Sequence, residues 1–255
     1  MKTLYLDCGM GAAGDMITAA LVELLPNPDK FIEDINSLEI PKVKFIREKT
    51  VKKGIQGTNI HVKVNGEEED EHHHSHDFGH GHHHHRSMHD IENIVKDNSC
   101  FSSELKEDIL AVYRLIAEAE GQVHGVSVNQ IHFHEVGQLD AIADILAACM
   151  LMKQLNPEEV IVSPVCVGYG QIQCAHGILP VPAPATANIL KGVPIYAGDV
   201  EGELCTPTGA AILKHFATRF EHMPMMKVSA IGYGMGKRDF GRVNCVRAFL
   251  GERVE

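Results

Sequence analysis

The chain has no C-x-x-C pair, and its seven cysteines are scattered and odd in number. Neither a zinc ribbon nor a disulfide framework is therefore encoded. No apolar run approaches the roughly 18 residues that a membrane-spanning helix needs. The opening MKTLYLDCGMG also lacks the apolar centre of a secretory signal. Positive charge is scarce: 23 Lys and Arg face 34 Asp and Glu, a formal charge of −11. That balance argues against a nucleic-acid or anionic-membrane surface, although part of the excess sits in one acid run. No internal repeat is visible. These absences describe a cytoplasmic chain with neither nucleic acid nor membrane as partner. Its 255 residues can form one large domain or two small ones around an ample core.

Histidine is the residue present in excess. Nine of 17 fall in HHHSHDFGHGHHHH: His72, His73, His74, His76, His80, His82, His83, His84 and His85. Five acidic residues, 67–71, stand directly before them. Imidazole suits nickel, zinc and copper, and carboxylates widen the usable geometries. So dense a tract offers many overlapping chelate sites, able to gather a divalent ion and pass it on. It does not select nickel by itself, because raw affinity follows the Irving–Williams order. A purification tag or polar spacer would explain the composition too, but a tag belongs at a terminus and this tract is internal.

Hydrophobic patterning predicts alternating strands and helices. A short strand over residues 3–8 leads through a glycine-rich turn, 9–14, into a helix over 15–25 that Pro26 and Pro28 end. A helix over 29–38 and alternating strands over 43–52 and 58–64 follow. The His-rich loop interrupts the chain at 65–86. Ser87 and Ser102 read as N-caps of helices over 88–97 and 103–124; in the second, Leu105, Ile109, Val112, Leu115 and Ile116 face a core. Further on come a strand over 131–136, a helix over 140–155, a strand over 159–167 and an extended LPVPAPA stretch leading to a helix near Pro184. A helix over 206–220 and two tail strands around a glycine-rich turn complete the pattern. The fold class is α/β or α+β: a mixed sheet with flanking helices and a long His-rich surface loop.

Outside the loop the densest chemistry is IHFHEVGQLDAIAD, residues 131–144. His132 and His134 project from one face of a strand, and Gly137 can let Glu135 swing round to join them. Asp140 and Asp144 share one face of the next helix. Two imidazoles and up to three carboxylates at a strand-to-helix junction make a metal or acid/base site. The plainer reading makes Asp140 an N-cap and His132 a core histidine. In SPVCVGYGQIQCAHGILPVPAPAT, His176 is the natural polar group to enter a site; Cys166 and Cys174 can add sulfur, though a lone buried cysteine is more often packing. Thr206 and Thr208 stand at a helix start, as simple caps or as anion ligands. Gly9, Gly11 and Gly14 spell G-x-G-x-x-G, but the rest of a dinucleotide unit is missing; a phosphate cradle at the helix start remains sound.

Taken together, LDCGMGAAGDM, HFHEVGQLDAIAD, SPVCVGYGQIQCAHGILPVPAPAT, GELCTPTGAA and GYGMGKRDF closely resemble the nickel-insertion (LarC) family of the nickel-pincer cofactor pathway serving lactate racemase. The motifs occur in the family's order over almost the whole chain, and members carry a His-rich loop of variable length where residues 72–85 stand. The resemblance implies a nickel-inserting metallochelatase of the lyase class. It places Ni2+ into pyridinium-3,5-bisthiocarboxylic acid mononucleotide, forming two sulfur bonds and one carbon bond, and uses CTP. Gly11, Gly14 and Asp15 match the family, whereas Gly9 and Met10 replace a bulkier, more polar pair. Full-length members continue into a second domain with the CTP site, so the chain reads as an N-terminal region, 1–255, whose partners are that C-terminal half and an apo lactate racemase-type enzyme.

Residue type and spacing then suggest roles. His132 and His134 are transient nickel ligands, with Asp140 or Asp144 as third ligand or orienter. Glu135 is the candidate base and His176 the alternative, while phosphate sits on the Gly11–Gly14 turn or the Thr206/Thr208 helix start. Two other functions fit the same residues: a nickel chaperone or store in which the loop does the work, and a metal-dependent hydrolase, for which no hydrolase motif is found.

Overall fold

A computed structural model describes residues 1–38, 40, 43–68, 86–133, 139–174 and 176–254, with backbone alone at Glu67, Glu68 and His132. In chain order the elements are β1 (Lys2–Asp7), α1 (Gly14–Val22), α2 (Pro28–Ser37), β2 (Val43–Lys52), β3 (Ile55–Val64), β4 (Glu67–Glu68) and β5 (Arg86–Ser87). Next come α3 (Met88–Asp97), α4 (Ser103–His124), β6 (His132–Phe133), α5 (Leu139–Leu155), β7 (Glu159–Val162), β8 (Val165–Cys166) and β9 (Gly168–Tyr169). The last third holds β10 (Gln171–Cys174), β11 (Gly177–Pro180), α6 (Pro184–Ile189), β12 (Ile195–Tyr196), β13 (Gly202–Glu203), α7 (Pro207–Phe216), β14 (Arg219–Phe220), β15 (Met226–Met235) and β16 (Cys245–Arg253).

The main sheet has the order β14-β7-β1-β16-β15-β3-β2, with β4 beside β3. β1 runs parallel to β7 and antiparallel to β16, so the sheet is mixed, as the alternation of elements predicts. No second parallel strand follows α1, which removes the dinucleotide-binding reading of the first glycines. The core lies between this sheet and the helices. α1 packs on β15 and α5, and α4 packs on α6 and α7. Gly232 and Gly234 let α1 settle directly on β15, because a side chain at either would strike the carbonyls of Ala20 and Met16.

Both serine caps form. Ser87 Oγ accepts from the Asp90 N–H at 3.3 Å, and Ser102 Oγ accepts from Leu105 N–H at 3.3 Å. The prolines act differently from expectation. α1 stops at Val22, and Pro28 opens α2 at a position that needs no N–H donor. α7 also ends early, at Phe216. Thr218 donates its N–H to the Val160 carbonyl at 2.8 Å and its Oγ1 accepts from Val160 N–H, so residues 219–220 join the sheet edge. The strand expected over 159–167 breaks at Ser163, whose Oγ accepts from the Cys8 N–H at 2.9 Å.

Candidate functional site

Three separate segments meet at the first turn of α1. Gly11 has φ +80°, and its N–H donates to the Cys8 carbonyl at 2.9 Å. The residues after it pair with the strand end before α7: Ala12 N–H donates to Leu204 O at 2.9 Å, and Thr206 N–H to Ala12 O at 3.0 Å. This short parallel bridge sets the starts of α1 and α7 side by side. A side chain at Gly14 would lie 2.8 Å from Asp144 Cβ, 2.9 Å from Asp144 Oδ2 and 3.1 Å from Thr208 Cγ2. Gly14, Asp144 and Thr208, distant in sequence, therefore converge. Asp144 also complements α1 electrostatically, since Ala13 supplies no side-chain cap and a carboxylate is favoured at a helix N-terminus. Thr206 is the N-cap of α7, its Oγ1 accepting from Gly209 N–H at 3.2 Å.

A second grouping surrounds Tyr113 of α4, which is fully buried. Its ring stacks at a tilt on Phe133, centroids 5.9 Å apart, which anchors β6 to the core. Burial pushes the phenol well above its usual range; Asp140 and Asp144 push the same way and Arg86 opposes them. Tyr113 thus stays protonated in the core, within electrostatic reach of Asp140, Asp144 and Arg86. Asp140 sits inside the first turn of α5, after Leu139, and accepts from the Ala141 N–H at 2.7 Å, so it is not the N-cap of the plainer sequence reading. β5 pairs antiparallel with β6, Arg86 opposite Phe133 and Ser87 opposite His132. Arg86, the residue after the His-rich tract, is therefore fixed beside β6.

Tyr113 gave no signal in sequence beyond its helical spacing. His134, Glu135 and the nine loop histidines, His72 to His85, lie outside the described residues. Among the described residues no three His, Cys, Asp or Glu side chains are grouped to hold a metal ion.

His176 enters a different grouping. Its ring lies 4.9 Å from that of His124, whose Nε2 is 3.4 Å from Glu120. His124 is eleven residues beyond Tyr113 on α4, roughly 16 Å along the helix axis at 1.5 Å per residue. Cys166 is buried, its thiol donating to the Ala197 carbonyl at 3.4 Å and pushed up by burial, so it packs rather than offering a thiolate.

On the other side of the α1 turn opens a small cleft of about 40 Å³. Asp15, Glu203, Thr206, Lys237, Arg238 and Phe240 are among its lining residues. Thr206 was expected at a phosphate site, and Asp15 was singled out as matching the family beside the Gly11–Gly14 turn. The basic pair belongs to the GYGMGKRDF turn, where two charges in a glycine-rich stretch look like ordinary solvated residues.

Residues 4–255 match the model of the nickel insertion protein family. The chain belongs to the nickel insertion family. It is 42% identical over its whole length to the pyridinium-3,5-bisthiocarboxylic acid mononucleotide nickel insertion protein of Desulfitobacterium hafniense (strain DSM 10664 / DCB-2), covering 60% of that protein. The proteins of the same description from Clostridium kluyveri and Geobacillus kaustophilus are 43% and 41% identical over 99% and 100% of the chain, which covers 63% and 61% of them. The chain thus spans about three fifths of the length of these relatives. No solved structure matches it. Within the family framework, the Gly14–Asp144–Thr208 junction and the β5–β6 pair are the places where its motifs meet.

Proposed function

We propose that the chain carries the metal-handling part of a nickel insertase that converts pyridinium-3,5-bisthiocarboxylic acid mononucleotide into the nickel-pincer cofactor. The observation that carries this reading is the 42% identity, without truncation of the chain, to a protein described by that activity. Nickel is cargo here. It is collected by the loop histidines and passed to His132 and His134, beside which the loop returns at Arg86. Asp140, or Asp144 across the α1 junction, supplies a third ligand or orients an imidazole. Two sulfurs and a ring carbon of the substrate then replace the protein ligands, a change in favour of soft donors.

The ring carbon must lose a proton as its bond to nickel forms, so a base stands beside the metal. Glu135 is the base we favour, since His176 is grouped with His124 well along α4. We assign the use of CTP to the additional sequence of the longer relatives, which then acts as a partner of this chain. An apo lactate racemase-type enzyme is the acceptor of the product. The reducing cytoplasm fits seven cysteines of which none is in a disulfide.

Mixing the chain with nickel, the mononucleotide, CTP and the remaining part of a relative should develop the cofactor's absorption. The double substitution His132→Ala/His134→Ala should abolish that signal while most bound nickel stays on the loop. The proposal needs two imidazoles that hold one ion in near-attack geometry beside the substrate. Cofactor formation at the unmodified rate by the folded double variant would remove these residues from the mechanism. Delivery that survives the double variant and collapses on loop removal would instead mark a nickel store.

A further inference from the structure

We infer that the open face of the main sheet over β15 and β16 is the docking surface for the additional sequence that the longer relatives carry. The inference rests on the proposed function only in taking that sequence as a partner of this chain. α1 packs on β15 and β16 from the side that Gly232 and Gly234 face. Successive side chains of a strand alternate between faces, so Ile231 and Tyr233 point the other way. Ile231 lies opposite Phe249, and Phe249 opposite Tyr5, an apolar row across three strands. The Tyr5 and Phe249 ring centroids are 6.1 Å apart. Across a bulge in β15, Val228 stands opposite Gly251 on the same face. Tyr5 is buried, but Val228 and Ile231 are exposed, Ile231 by 45%.

The apolar surface continues to one edge of the sheet. Residues 221–225 connect β14 to β15 and so pass β7, β1 and β16, which lie between them. Glu221 Oε1 is 3.8 Å from Arg253 Nη1 at one end of this connection, and at the other Met225 O accepts from Val254 N–H at 2.9 Å. Met223 and Met225 are both exposed, Met225 by 74%, the highest value for a large apolar side chain among the described residues. Single apolar residues on a surface are ordinary, but neighbours in register, extended by adaptable methionines, mark an interaction face. The charges beside it are already matched. Arg219 and Arg253 each reach both Glu159 and Glu221, and Arg247 Nε donates to Asp7 at 2.9 Å. The surface therefore suits an apolar partner patch with a polar rim, not a charged one.

The two ends of the chain identify the occupant. Met1 O accepts from Arg253 N–H at 3.4 Å, and Val254 is bonded to Met225, so both ends lie at the edge of this face. The relatives are covered to 60%, 63% and 61%, which leaves about two fifths of each outside the matched part. Joined at either end, that sequence departs beside Met225, and its docking on the adjacent face is intramolecular, at high effective concentration. A second copy of a longer relative on the same face would have to fit two such sequences into its interface.

The test compares the chain alone with one polypeptide in which it is followed by the additional sequence of the Desulfitobacterium hafniense relative. Hydroxyl-radical footprinting read by mass spectrometry should show labelling of Met223, Met225 and Ile231 falling several-fold in the joined polypeptide. Val51 and Ile55, exposed at the β2–β3 hairpin, should label alike in both. Val228→Arg/Ile231→Arg in the joined polypeptide should return Met225 to its rate in the chain alone. Unchanged labelling on joining, or protection that survives the double substitution, would overturn the inference. The intact relative guards against a joined polypeptide that fails to fold. Arginines at its positions aligned with Val228 and Ile231 should raise labelling at the position aligned with Met225, and no rise there overturns the inference as well. Protection of the chain alone that grows with its concentration would assign the face to a second copy and also overturn it. Protection in the joined polypeptide without cofactor formation would support the docking surface and count against the proposed function.

Discussion

Gly14 shows how one missing side chain shapes a site. The space a methyl group would fill is taken by Asp144 and Thr208, so the carboxylate can approach the bare start of α1. The same scale settles the role of sulfur. Cys8, Cys149, Cys166, Cys205 and Cys245 are buried, and burial pushes every one of these thiols upward. They stay protonated at neutral pH, and a protonated thiol is neither a good nucleophile nor a metal ligand. Brief treatment of the native chain with iodoacetamide at about pH 8 should therefore modify at most Cys100 and Cys174, the exposed and half-buried members, and mass spectrometry should count no third adduct. Additional labelling would show that the buried set is reachable.

At the scale of elements, α1 depends on β15 having no side chains at its contact. Gly234→Val would drive two methyl groups into the Met16 carbonyl and should destabilise the chain by about 3 kcal/mol, read from denaturant unfolding, with the α1 turn most disturbed. Elements of this length were legible in sequence because their periods repeat. The spans 43–52, 88–97 and 103–124 coincide with β2, α3 and α4, and the two serines cap as their chemistry requires. Two-residue strands such as β8, β9, β12 and β13 have no period to read. The end of α7 was hidden for another reason: residues 217–220 continue a helical pattern, and only the edge of β7 competes for Thr218.

The site was legible in parts. Asp144, Gly14 and Thr208 were each singled out, but their meeting depends on three segments folding together. Lys237 and Arg238 were passed over because a basic pair in a turn signals nothing until the fold brings it to the same cleft as Asp15 and Thr206.

For the whole molecule, we propose that the His-rich tract is separable from the core. The described strands on either side of it, β4 and β5, have two residues each and lie in different sheets. Replacing residues 67–85 by a short glycine–serine linker should lower the number of nickel ions bound and leave the melting temperature nearly unchanged, since loop closure costs only about 0.6 kcal/mol per doubling of length. The nickel that this tract adds should be lost as pH falls through about 6, because a protonated imidazole has no lone pair to donate. Loss of folded protein on replacement, or loop nickel that persists in mild acid, would contradict these roles.

The pairing of β5 with β6 bears on the kinetics of the proposed hand-off. Arg86 stands opposite Phe133, and His85 is covalently joined to Arg86. In the proposed transfer, donor and acceptor are segments of one chain, and the local concentration of one around the other is set by the length of chain between them. Passage of an ion from one to the other is then first order in protein. Dilution, which starves a separate carrier of its acceptor, leaves such a transfer at the same rate.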